Sequence, residues 1–196
     1  MKHSEDQSER LSRAVWDVLA RDGLEKLTIR AVAAAAGCTT GLVMHRFPNR
    51  RALLSHARRL LHEVVGARVA ALESAASSPR AALRDVLHQG LALDAQRAAE
   101  SRVWLGFLAA AFTDEDLVEM HRTNNRGWRS RIERLVAAAA PRWATIRVEA
   151  VALGLLSMVE GVAALAAADP EAYPQSAQEM MLDFALDAYG LGVSIP

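Results

Sequence analysis

The stretch TTGLVMHRFPNRRALL, residues 39–54, sets two threonines, a glycine, a histidine and three arginines into what is otherwise an amphipathic helical pattern. It lies inside a longer run, Lys26 through His62, whose charged side chains are Lys26, Arg30, Arg46, Arg50, Arg51, Arg58 and Arg59, with no acid among them. Cations gathered without countercharge suit a polyanion, since each can approach a phosphate and no carboxylate repels it. The plainer alternative for such a block is a solvated basic face.

A helix that enters a DNA major groove needs small or hydrogen-bonding side chains on its leading face, close backbone approach, and flanking cations. Residues 39–51 supply all three. Thr39 and Thr40 stand at a helix start, where hydroxyls and free N–H groups can bind phosphate oxygens. Gly41 leaves room for the groove wall. Leu42, Met44 and His45 are candidates for base edges: an imidazole donates or accepts, and an apolar tip can touch a thymine methyl. Arg46, Arg50 and Arg51, with Thr28 and Arg30 upstream, would hold the backbone on either side. The expected partner is double-stranded DNA.

These residues need elements to position them. Leu11, Ala14, Val15, Val18 and Leu19 follow helical spacing, and Gly23 sits where that helix would stop. Thr28 can cap a short helix, IRAVAAAA, ending at Gly37, and a third begins near Thr39 or Thr40 and runs to Phe47. Two short helices joined by a glycine-containing turn make a helix-turn-helix, with Ala33, Ala36, Val43 and Phe47 as its glue. Pro48 and Asn49 interrupt the chain. A long helix follows over 50–74, with an apolar stripe at Leu53, Leu54, Ala57, Leu60, Leu61, Val64, Val65 and Val69.

Beyond Pro79 the pattern predicts helices over 80–97, 100–112, 114–139, 144–168 and 175–190, and no segment alternates long enough to nominate a strand. The fold class is all-α with about nine helices: an N-terminal three-helix module, 1–50, and a larger C-terminal helical bundle, 51–196.

At 196 residues and 52% hydrophobic, the chain has the material for a real core. Its zero net charge hides an asymmetry: residues 1–60 carry eleven Lys or Arg against six acids, and 61–196 carry twelve against seventeen. One cysteine, Cys38, excludes a disulfide framework and a thiolate cluster. The opening MKHSEDQSER is polar, so no secretory signal is expected and the location is cytoplasmic. Ala150–Ala168 holds one charge, Glu160, and passes the length test for a membrane span. Its alanine richness and mid-segment Glu160 argue instead for a helix buried on two sides, against its own bundle and against a partner subunit.

Catalytic readings find little support. A di-iron bundle needs Glu-x-x-His on two helices, whereas here only Asp85 and His88 share that spacing, once. No glycine-rich phosphate loop and no metal-ligand spacing occurs, so no enzyme activity, cofactor or metal is expected.

The segment DGLEKLTIRAVAAAAGCTTGLVMHRFPNRRALL resembles the helix-turn-helix of TetR-family regulators. Gly23, Thr28, Val32, Ala33, Ala36, Gly37, Gly41, Val43, Phe47, Leu53 and Leu54 fall on that motif, with Cys38 at its valine and Thr39 at its serine. Met44 stands where the family usually has tyrosine, Arg46 where it often has histidine or tyrosine, and Arg50 at the usual lysine. Residues 159–191, VEGVAALAAADPEAYPQSAQEMMLDFALDAYGL, resemble the end of the BetI-like subgroup, with its acid-glycine pair and D-P-x-x-Y-P turn. The resemblance implies that 1–50 is the DNA-binding domain, with double-stranded operator DNA as its partner, and that 51–196 is the ligand-binding and dimerisation domain. It implies a homodimer through the last two helices and two recognition helices about one DNA turn apart.

It also implies an inducer cavity within the middle helices, which nominates Trp104, Phe107, Phe112, Met120, Trp128 and Met158 as lining, and Arg102 and His121 as polar groups that orient a small-molecule effector. Aromatics at helical spacing also serve a plain core. The function so implied is a repressor released from its operator by an effector. The alternatives are a ligand-independent regulator or activator and, outside DNA binding, a helical partner-binding protein.

Overall fold

The computed structural model describes residues 2–112 and 114–192. Within them the chain forms nine helices and no strand: α1 (Lys2–Asp22), α2 (Ile29–Ala36), α3 (Thr40–Arg46), α4 (Arg50–Ala75), α5 (Pro79–His88), α6 (Ala95–Ala110), α7 (Glu115–Ala139), α8 (Thr145–Ala168) and α9 (Gln175–Ala188). The all-α expectation holds. Two compact units result: Met1–Val65 with Arg102–His121, and Gly66–Ser101 with Arg122–Pro196.

In the first unit, one apolar cluster joins Leu11, Val15, Val18 and Leu19 of α1 to Val32, Ala33 and Ala36 of α2, Val43 of α3 and Phe47 just beyond it. Leu53, Leu54, Ala57 and Leu61 of α4 complete one side, and Val103, Phe107 and Leu117 from α6 and α7 complete the other. Ala33, Ala36, Val43 and Phe47, expected as the glue of the module, are all buried. The alanines let α2 lie close to its neighbours, because short side chains shorten the interaxial distance.

In the second unit α5 packs on α8 and α9, and α8 on α9. Leu83, Val86 and Leu87 of α5, Ile132 and Val136 of α7, Leu155 and Val159 of α8, and Leu182 and Leu186 of α9 are buried. Polar groups fix the orientation. Arg84 Nε and Nη2 donate to the two Asp183 oxygens at 2.6 and 2.9 Å, and buried Gln178 accepts from Ala92 N–H at 3.0 Å while donating to the Tyr173 carbonyl at 3.0 Å.

One boundary differs from the pattern-based reading. The single helix expected over 80–97 ends at His88, and α6 begins at Ala95 instead of 100. Gly90 shows why: a Cβ there would lie 2.5 Å from Val159 Cγ1, so the chain leaves α5 pressed against α8 and tucks Leu91 and Leu93 inward. Asp94 then caps α6 by accepting from Arg97 N–H at 2.8 Å.

Candidate nucleic-acid interface

Each short helix of the first unit has a defined start and stop. Thr28 caps α2, its Oγ1 accepting from Ala31 N–H at 3.1 Å, and Thr39 caps α3, accepting from Leu42 N–H at 3.3 Å. Both hydroxyl oxygens are therefore engaged locally, and each hydroxyl hydrogen remains free to be donated to a phosphate oxygen. Between the helices Gly37 adopts φ +60°, with Gly37 N–H on the Ala34 carbonyl and Cys38 N–H on the Ala33 carbonyl. That pair of bonds is a Schellman stop, and its left-handed residue favours glycine. The turn sets the angle at which α3 leaves α2.

Burial of Val43 turns the opposite side of α3 outward. Thr40, Gly41, Met44, His45 and Arg46 are exposed, as are Thr28, Arg30, Thr39, Arg50 and Arg51, while Leu42 is half-buried. Thr40, Gly41, Met44 and His45 share one helical face by their spacing. Arg46 flanks it with its guanidinium 5.5 Å from the Phe47 ring centroid, a contact that orients the cation while leaving it exposed. Asn49 caps α4 through Ala52 N–H at 2.9 Å and so presents Arg50 and Arg51 on its first turn. At Gly41 an added Cβ would meet only Thr39 Oγ1, at 3.9 Å, and the backbone φ is ordinary. The fold itself makes no demand for glycine there.

Not every cation of the basic block joins this face. Arg58 is buried at 5% exposure, a correction to the reading of Lys26–His62 as one polyanion-facing set. Its side chain points into the first unit, where its guanidinium lies 5.8 Å from the Phe107 ring centroid.

A second residue that sequence reasoning missed is His56, also buried. Arg59 Nη2 lies 2.7 Å from its Nδ1, and since a guanidinium only donates, Nδ1 must accept and the proton sits on Nε2. Nε2–H then donates to Ser12 Oγ at 2.9 Å, tying α4 to α1, while the imidazole packs 4.8 Å from the Phe47 ring. Burial, then the charges of Arg59 and Arg46, holds the imidazole down to about 4, so it stays neutral at pH 7. The signal in the sequence was a histidine on the apolar side of α4, beside Ala57 and one turn after Leu53. Ser12→Ala should cost about 1–2 kcal/mol in urea unfolding at pH 7, because it strands a buried donor.

Two family models match the chain: one for bacterial regulatory proteins of the tetR family, over residues 13–57, and one for the C-terminal region of BetI-type transcriptional repressors, over 79–190. The chain belongs to the TetR family, in its BetI-type branch. It is 28% identical over 159 residues to the HTH-type transcriptional regulator BetI of Stenotrophomonas maltophilia, covering 79% of this chain and 78% of that one. A crystal structure of a transcriptional regulator from Rhodococcus sp. Rha1 superposes with a TM-score of 0.82 at 31% identity, over 96% of this chain and 98% of that one. A regulator from Saccharomonospora viridis, solved in complex with choline, shares the fold with a TM-score of 0.85 at 16% identity, over 94% and 96% of the two chains.

As a TetR-family regulator the protein binds DNA sequence-specifically and is not an enzyme. The family fold implies operator binding and dimerisation through the C-terminal helices. Among the described residues no group of three or more His, Cys, Asp or Glu side chains is placed to hold a metal ion.

The effector residues nominated from the resemblance are distributed over both units. Trp104, Phe107, Met120 and His121 lie in the first unit with Arg102 and Phe112, whereas Trp128 and Met158 belong to the second. Phe107 is buried and Trp104, Met120 and His121 are half-buried, but Arg102 is exposed and Phe112 is 82% exposed. The Trp104 ring packs 6.3 Å from the His121 imidazole. Met158, with Ser157, Gly161, Leu165, Tyr173 and Met181, lines an apolar cleft of about 380 Å³ along α8 and α9.

Proposed function

We propose that the protein is a homodimeric repressor that leaves its operator when a small-molecule effector binds. The observation that carries the DNA half of this reading is the outward face of α3: exposed, free of acid, and flanked by cations on α2 and α4. In this reading Thr28, Arg30, Thr39, Thr40, Arg46, Arg50 and Arg51 hold phosphates, Gly41 permits close approach, and Leu42, Met44 and His45 meet base edges. Residues 1–50 are the DNA-binding domain and 51–196 serve ligand binding and dimerisation, in the cytoplasm where operator DNA is found.

Fluorescence anisotropy with the chain's own upstream duplex, from low to high salt, tests the DNA half. Affinity should fall steeply with salt, and Arg50→Ala should lower the magnitude of the log–log slope by about 1 without changing base preference. Binding that ignores salt would overturn the assignment. Gly41→Ala separates fold from function. Alanine outranks glycine in a helix by about 1 kcal/mol at most, so the melting temperature should hold or rise slightly, while operator affinity falls tenfold or more as the methyl meets the groove wall. If the variant binds as tightly as the parent, Gly41 is not at the groove.

The dimer reading rests on α8 and α9. Ala150, Leu153, Ser157, Gly161 and Leu165 form an exposed uncharged stripe on α8, opposite the side buried in its own unit, and Met180 and Phe184 are exposed one turn apart on α9. Thr145–Ala168 is also, among the described residues, the one helix long and apolar enough to cross a membrane. We read its apolar outer stripe as subunit contact.

For the effector, the regulator from Saccharomonospora viridis solved with choline supports the reading that a bundle of this fold receives a small molecule. Trp104, Phe107, Met120 and His121 are the proposed lining. Release from the operator requires only that the effector bind the DNA-free state more tightly than the DNA-bound one.

A further inference from the structure

A buried guanidinium is costly unless an acid or several acceptors compensate it, and proteins rarely keep one without use. Arg58 is such a group. It sits 5% exposed in the first unit, its Nε is buried with no hydrogen-bond partner, and among the described residues it joins no ion pair. Its guanidinium lies over the face of Phe107 at 5.8 Å. His121 on α7 repeats the pattern: Nδ1 is buried with no partner, and the ring is held against Trp104. The two groups are close enough that the Arg58 charge, after burial itself, lowers the His121 pKa.

The Arg58 Nε–H and the His121 Nδ1 are therefore both buried without a partner in the same neighbourhood, and the surfaces beside them are aromatic. A phosphate carries up to two charges and more oxygens than these two groups can satisfy. A carboxylate has two oxygens in the geometry of a guanidinium fork, with room for one further donor such as a neutral imidazole N–H. A quaternary ammonium would be repelled. Resting on the effector reading above, we infer that Arg58 anchors an organic monocarboxylate, with His121 as second donor and Trp104 and Phe107 against its apolar body. The anchor lies on α4, in the same compact unit as α2 and α3.

The test uses the full-length protein and thermal melts with straight-chain monocarboxylates of four to nine carbons and benzoate, against inorganic phosphate and choline. At tenfold its Kd a bound carboxylate should raise the melting temperature by about 3–6 °C. Arg58→Met should abolish that response and raise the melting temperature of the ligand-free protein by several degrees, since it removes an uncompensated buried charge. Arg58→Lys, which keeps the charge and loses the fork, should weaken carboxylate binding at least tenfold. Stabilisation by phosphate or choline alone, a carboxylate shift that survives Arg58→Met, or a lower melting temperature for ligand-free Arg58→Met would each overturn the inference. Operator binding is measured on the same preparations. Salt-dependent binding that none of the carboxylates weakens sinks the carboxylate site and leaves DNA binding standing, whereas weakening by a molecule of another class leaves the effector reading intact and removes only the anionic assignment.

Discussion

Phe184→Glu is expected to yield a folded monomer that binds operator DNA at least a hundredfold more weakly than the parent. Phe184 is 74% exposed and Met180, one turn earlier on α9, is 69% exposed, so a polar replacement costs the isolated protomer little. In a two-fold interface the consequence is doubled, because each subunit contributes a new carboxylate that is buried without a partner. Operator affinity falls because two linked recognition helices gain from effective concentration, an advantage of roughly 10²–10⁴ that a monomer forfeits. Sedimentation equilibrium reports the subunit state, and anisotropy with an intact operator and with a half-site reports the affinity. A variant that remains dimeric and binds like the parent would place the interface elsewhere.

Glu160→Gln is expected to stabilise the protein at pH 8 by up to about 3 kcal/mol and to change nothing near pH 4.5. Glu160 is half-buried on α8, and burial pushes its carboxyl from 4.5 up to about 7. Between those values the folded state holds more protons than the unfolded one, so stability must fall as pH rises. The contribution of neutral Glu160 is complete below about pH 4.5 and lost as pH passes 7. Glutamine keeps the shape and cannot ionise, so the difference between variant and parent should grow across that window and level off above it. His56 titrates with the opposite sign, but it does so in both proteins and cancels in the difference. Urea unfolding at half-unit pH steps is the measurement; parallel curves would mean that Glu160 ionises as freely in the fold as out of it.

The recognition module was legible because its signals are local. Thr28 and Thr39 cap helices of seven or eight residues, Gly37 supplies the one left-handed backbone between them, and Val43 marks the inner side of α3 by spacing alone. The break between α5 and α6 was not read, although Gly90 and Asp94 were both present as signals. The apolar pattern of 80–97 runs on through them, and the reason for the break is Val159, nearly seventy residues away. The same limit applies to Arg58. Counted along the chain it is one more cation in a basic block, and only packing reveals that it faces inward while Arg59 beside it faces out.

By itself, then, the sequence determined the all-helical class, the capped turn that aims α3, the acid-free charge around it, and the largely apolar character of residues 150–168 in α8. Periodicity, capping and charge act within a few residues, so they can be read without knowing what lies across the fold. The tertiary structure decided which face of each helix is inside, and with it the neutral tautomer of His56, the raised pKa of Glu160 and the uncompensated charge of Arg58. Those properties depend on desolvation and on neighbours contributed by distant segments, and no spacing along the chain encodes them.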